Sequence, residues 1–166
     1  NNRSPQNGGA IYIKTDINDF SGTNQHMTIA EITGCDFTNN SGNYAHCIYI
    51  MDGSQTQILV RQCTFNNNYN PNLAAGSCIL SNAIELTVSD SIFENDNLET
   101  ASGGVNVTSR STLSVSNSQF IHCTAGNVEK SFGGGIGYCT SVNDDSSRTE
   151  SIKIERNFIF DGKISS

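Results

Sequence analysis

The sequence predicts an all-β chain wound as a parallel β-helix, a solenoid of about five coils with loop insertions. Three observations carry this. First, one stretch recurs: Ile-Leu-Val-Arg-Gln-Cys-Thr-Phe-Asn-Asn-Asn at 58–68 has copies ending on Phe37, Phe93 and Phe120, so that the phenylalanines lie 28, 28 and 27 residues apart. Second, a glycine- or small-residue-entered strand alternates with it along the chain. Third, only 36% of residues are hydrophobic, yet they gather in short alternating runs. Such runs favour ordered strands over the disorder that a polar composition otherwise suggests. A fixed period of this length signals stacked repeats, because no single repeat buries enough surface alone.

Each element follows in order. Residues 1–7 are polar and loop-like, and Gly8-Gly9-Ala10-Ile11-Tyr12-Ile13 opens the first glycine-entered strand. Its relatives are 45–50, 76–80, 103–107 and 134–138. Residues 14–26 read as a connection rich in Asp, Ser and Gly, and 27–37 as the first phenylalanine strand region. Asn39 to Tyr44 is a turn cluster, and Asp52-Gly53-Ser54 is a turn signal. The second copy runs over 57–65, the third over 83–93 and the fourth over 112–120, with polar loops at 66–73 and 96–102. A looser copy around Ile154, Asn157 and Phe160 closes the series. Residues 140–150 are the most polar stretch and read as an inserted loop, and 161–166 as a fraying end. The whole chain, 1–166, is thus one β-helix segment. Its start in mid-repeat leads us to expect a section of a longer chain or assembly. A leucine-rich repeat would need a Leu-x-x-Leu-x-Leu skeleton that is absent, and a β-sandwich would not explain the phenylalanine spacing.

The period predicts ladders. Phe37, Phe65, Phe93 and Phe120 should stack inward. Ile32, Val60, Val88 and Val115 should form an aliphatic stripe, with Ala30, Ile58, Leu86 and Leu113 two residues earlier. Asn39, Asn67 and Asn95, two residues past each phenylalanine, are expected to point inward and bond to one another along the axis. His122 takes that place in the fourth copy, as a capping residue of the ladder.

The net charge is −7, and nine Lys and Arg offer no basic stripe for a phosphate backbone, so nucleic acid is not an expected partner. No apolar run nears the roughly 18 residues of a membrane span, and direct membrane insertion is not expected. Six cysteines stand at 35, 47, 63, 78, 123 and 139. Cys35 and Cys63 share one slot of the repeat, and Cys47 and Cys78 share another. Buried thiols lining a narrow core are the expectation, while a strand spacing of about 4.8 Å leaves disulfide geometry open. Cys-x-x-Cys is missing, and Asn143-Asp144-Asp145 lacks the spacing of a calcium loop, so neither metal nor any cofactor is expected.

No catalytic residue is expected either. Asp36 and Asp90 fall on the outer face in successive-but-one repeats, with Arg61 and Arg110 out of register with them. A glycosidase needs two carboxylates roughly 5–9.5 Å apart, and no such pair stands out. Gly133 to Gly137 lacks the Lys-Ser/Thr and helix of a phosphate loop. Sequons occur at Asn2, Asn39 and Asn106; Asn106, alternating outward between Val105 and Val107, is the best glycosylation candidate. Tyr12, Tyr49 and Tyr138 follow the glycine strands at related places and could stack outside.

Gly-Gly-Ala-Ile at 8–11 and the Phe-x-x-Asn pieces at Phe37–Asn40 and Phe65–Asn68 resemble the repeats of chlamydial-type polymorphic outer-membrane proteins. The wider class is the right-handed parallel β-helix of pectate-lyase-like proteins. The likeness covers nearly the whole chain and weakens at Ala45-His46-Cys47, Gly76-Ser77-Cys78, Asp96 and Ile121-His122-Cys123. It implies an extracellular or cell-surface, non-enzymatic module with a structural or adhesive role. The implied partners are further repeats or other subunits at the coil ends, and surface glycans. The alternative is a carbohydrate-binding or polysaccharide-cleaving domain.

Overall fold

The structure is a computed structural model that describes residues 2–4, 8–14, 27–51, 56–68, 77–95, 103–108, 111–123, 135–139, 151–156 and 158–160. The insertion expected at 140–150, the Asn143-Asp144-Asp145 triplet, Arg110 and the turn at 52–54 lie outside these residues. In chain order the strands are β1 (Arg3–Ser4), β2 (Ile11–Lys14), β3 (Thr28–Thr33), β4 (Asp36–Thr38), β5 (Ser41–Gly42), β6 (Ala45–Met51), β7 (Thr56–Arg61), β8 (Thr64–Asn66) and β9 (Ser77–Ser81). They continue as β10 (Glu85–Ser89), β11 (Ile92–Glu94), β12 (Val105–Thr108), β13 (Thr112–Ser116), β14 (Gln119–Ile121), β15 (Ile136–Cys139), β16 (Ser151–Glu155) and β17 (Phe158–Phe160).

These strands are too short to stand alone, so each pairs with its counterpart one coil on. The result is three five-stranded sheets: β2-β6-β9-β12-β15, β3-β7-β10-β13-β16 and β4-β8-β11-β14-β17. A small fourth sheet joins β1 to β5. The pairings are parallel throughout, the arrangement of a parallel β-helix. Like residues lie over like residues: Phe37 pairs with Phe65, Phe65 with Phe93, and Phe93 with Phe120. The four rings stack face to face at centroid separations of 4.8, 4.5 and 4.7 Å. Beside them the buried Ile32, Val60, Val88 and Val115 form one aliphatic stripe. Ile58, Leu86 and Leu113 form the next, with Ala30 packed against the cluster.

Two sharp bends per coil join the second sheet to the third and lead out of the third. The first places Gly34, Gln62, Asp90, Asn117 and Arg156 at φ of 50–62°. The second places Asn39, Asn67, Asn95 and His122 at φ of 51–55°. Backbone bonds run straight through both, for example Gln62 N–H to Ser89 O at 3.1 Å and Asn67 N–H to Glu94 O at 3.0 Å.

The second bend corrects the expected asparagine ladder. A left-handed residue breaks the period-two alternation, so the inward slot lies three residues past the phenylalanine rather than two. Asn39 and Asn67 are therefore exposed and Asn95 half-buried, whereas Asn40 and Asn68 are buried. Cys123 fills that slot in the fourth coil. The first bend carries a second polar ladder. Cys35, Cys63, Ser91 and Ser118 each donate to the carbonyl two residues back, at 3.3, 3.2, 2.8 and 2.9 Å. The shared cysteine slot thus has a hydrogen-bonding duty as well as an apolar one.

Gly104 and Gly135 enter the first sheet against the Phe120 ring. A Cβ on Gly104 would lie 2.7 Å from Phe120 Cε1 and 2.6 Å from the Gly135 carbonyl oxygen. No real Cβ tolerates such contacts.

Candidate functional site

The solvent face of the second sheet forms a regular outer surface. Side chains at its C-terminal edge alternate outward, giving the register Thr33, Arg61, Ser89, Ser116, Glu155 across the coils. The left-handed bend that follows tips the next residue outward as well. Together they enclose an open groove of about 480 Å³ lined by Glu31, Thr33, Arg61, Gln62, Thr87, Ser89, Asp90 and Ser116. Asp90 and Arg61, expected to lie out of register, share this groove. Arg61 pairs with Ser89, and the bend residue Asp90 comes next.

The groove holds two carboxylates, one guanidinium and several hydroxyls. Arg61 Nη1 stands 3.9 Å from Glu31 Oε1, and both side chains are about half exposed, so water and salt screen the pair. Thr33 Oγ1 donates to Glu31 Oε1 at 3.2 Å, and Asn117 Nδ2 donates to Asp90 Oδ1 at 3.3 Å. Glu31 and Asp90 lie two coils apart. Two strand spacings separate their backbones by roughly 10 Å along the axis, with three residues of offset across it. Such a surface suits multiple weak hydrogen bonds to a polar ligand. Asp36 lies elsewhere, exposed on the outer face of β4. His122 is exposed at the second bend, at φ 51°.

The first sheet carries an aromatic column on its outer face. Tyr49 lies between Tyr12 and Tyr44, each ring centroid 5.5 Å from its own. Tyr12 and Tyr44 are exposed, and the Tyr12 hydroxyl donates to Met51 Sδ at 3.2 Å. The Tyr138 backbone pairs with Val107, while Gly137 takes the tyrosine line opposite Asn106; the Tyr138 side chain lies outside the description. Asn106 is outward by register but only 7% exposed, and its Oδ1 has no hydrogen-bond partner among the described residues. That burial counts against the glycosylation expected there.

A buried polar corner lies where the third sheet turns into the first. Asn68 Oδ1 accepts from the Asn40 N–H at 2.9 Å and from Asn40 Nδ2 at 3.1 Å. Asn68 Nδ2 donates to the Phe37 carbonyl at 2.9 Å. Asn40 Oδ1 in turn accepts from the Asn2 N–H at 2.9 Å. His46 Nδ1 donates to the Asn68 carbonyl at 3.2 Å, while its buried Nε2 has no hydrogen-bond partner among the described residues. Burial holds the His46 pKa down at about 4, the bond to Asn68 opposing the shift. Burial likewise raises the Cys63 thiol.

An extra residue in β6 sets the geometry of the same corner. Ala45 pairs with Ser77 but Ile48 pairs with Ile79, so two residues of β6 oppose Cys78. Cys47 and Cys78 Sγ atoms consequently lie 3.2 Å apart. Cys35, Cys47, Cys63, Cys78 and Cys123 are unbridged, and the Cys139 side chain lies outside the description. Among the described residues no three His, Cys, Asp or Glu side chains gather as a metal site, and no helix is long and apolar enough to cross a membrane. Sequence reasoning missed His46 because a lone histidine beside a bulge has no periodic signal.

No family model, curated protein or solved structure matches the chain.

Proposed function

We propose that the chain is a non-enzymatic structural or adhesive module of the cell surface or extracellular space, one section of a larger β-helical assembly. The observation that carries this is an apolar pair left half-bare on β16. Ile152 and Ile154 on β16 pair with Leu113 and Val115 and take the same inward register. Leu113 and Val115 are 0% exposed, whereas Ile152 and Ile154 are 50% and 49% exposed. Half-bare apolar side chains in a core register are suited to pack against a further protein surface. The repeats' resemblance to those of surface-displayed β-helical passengers supports the location and the adhesive role.

Sedimentation velocity over a concentration series tests this. Self-association that the paired substitution I152E/I154E abolishes is the expected result. A chain that stays monomeric throughout and releases reducing ends from polysaccharide would overturn it.

A carbohydrate-binding face is the second reading, favoured by the exposed Tyr12 and Tyr44 rings flanking Tyr49. Stacked aromatics present flat apolar faces with polar rims, which suit sugar rings. Loss of glycan binding in Tyr12→Ala, with the fold kept, would support it; a wild-type chain that retains no glycan would remove it.

A further inference from the structure

We propose that Cys47 and Cys78 are a disulfide-forming pair that locks neighbouring coils together, the bond being made by exchange with a small-molecule disulfide during folding. The β6 bulge brings these two side chains to one corner with their sulfurs 3.2 Å apart. Closing that gap to a bond of about 2.05 Å needs roughly 1 Å of movement. The other described thiols are turned to backbone carbonyls. Cys35 donates to Thr33 O at 3.3 Å, Cys63 to Arg61 O at 3.2 Å, and Cys123 to Phe93 O at 3.5 Å. A metal role for the pair lacks a donor set, since no third His, Cys, Asp or Glu of the described residues joins it.

The chemistry balances as two exchanges. One cysteine thiolate attacks the small-molecule disulfide, forming a mixed disulfide and releasing one thiol. The second cysteine thiolate attacks the protein-side sulfur of that bond, and a second thiol leaves. Two S–H bonds are lost from the chain, one S–S bond forms, and the oxidant is reduced to two thiols that carry the protons away. Both cysteines are 0% exposed. The exchange therefore takes place before β9 seats on β6. Once closed, the same burial shields the bond from reductant. The bond does not rest on the functional reading above.

The test is refolding of the full chain in a glutathione/glutathione disulfide couple, and in parallel under dithiothreitol, followed by alkylation in denaturant and mass spectrometry. All six cysteines should be alkylated in the reduced sample and two fewer in the oxidised one. Chymotryptic cleavage after Phe37 and Phe65 separates Cys35 from Cys47 and Cys63 from Cys78. The oxidised digest should therefore hold one linked pair joining Cys47 to Cys78. Oxidation should raise Tm by on the order of 10 °C, a gain absent in C47S and in C78S but present in C63S. Full alkylation after oxidative refolding, or a linked pair joining Cys35 to Cys63, would overturn the proposal. Should the serine variants not fold, the wild-type digest decides alone.

Discussion

The rings of Phe65 and Phe93 lie 4.5 Å apart and within 3° of parallel, each fully buried and each one coil from the other. Parallel pairing in register imposes this separation, which is close to the spacing of adjacent strands. The column is therefore set by the backbone and filled by the rings. Phe65 and Phe93 each have a ring above and a ring below. Phe93→Ala should cost about 3–5 kcal/mol, from lost transfer energy and the cavity left between two rigid neighbours. Phe37→Ala should cost less, because among the described residues Phe37 stacks on one ring. Urea unfolding of the two variants checks the order; equal losses would mean the column is not what is being disrupted.

The asparagine corner makes an opposite pair of expectations for two adjacent residues. Asn68→Ala removes the acceptor of two Asn40 groups and the donor to the Phe37 carbonyl, all buried. Each orphaned buried group costs about 1–3 kcal/mol, so a loss of about 3 kcal/mol or more is expected. Asn67 is exposed at φ 53°. Asn67→Gly should be neutral within about 0.5 kcal/mol, because asparagine, unlike most residues with a Cβ, already tolerates the left-handed region that glycine accepts. Chemical denaturation of the two variants separates them.

Gln62 holds φ 52° at the bend where the coil beneath has Gly34 at φ 62°. A left-handed conformation is costly for a residue with a Cβ and free for glycine. Gln62→Gly should therefore stabilise the chain by about 1 kcal/mol, offset in part by the entropy glycine brings to the unfolded state. A lowered midpoint in thermal unfolding would show that the Gln62 side chain holds the groove wall by contacts worth more than the strain.

These cases mark what the sequence could disclose. The Phe37–Phe120 column and both aliphatic stripes were legible, since a coil repeats the same residue type at the same step and periodicity reads that directly. The asparagine slot was misplaced by one because alternation was carried through Asn39 and Asn67, where a left-handed φ resets it. Asn-Asn-Ser and Asn-Asn-Asn look alike in either register, so nothing local revealed the shift. The groove joining Arg61 to Asp90 was hidden for the same reason: it forms at the first bend, where Gln62 and Asp90 lie outside strand alternation. The Cys47–Cys78 approach depends on one extra residue in β6, which has no periodic signature at all.

His46 supplies a pH dependence whose sign follows from its environment. Folded, it is fully buried with its pKa held at about 4; unfolded, it titrates at the ordinary value of 6.5. Between these values the unfolded chain binds the extra proton, so stability rises with pH across the window. The contribution is whole above about pH 6.5 and is lost as pH falls through about 4. Its size, from some 2.5 pKa units, is about 3 kcal/mol. The informative quantity is a difference between two chains. Urea unfolding of wild type and His46→Gln at pH 7.5, 6, 5 and 4.5 should show the wild type losing more stability on acidification. Parallel stability curves over that range would show that the imidazole is reached by water and titrates alike in both states.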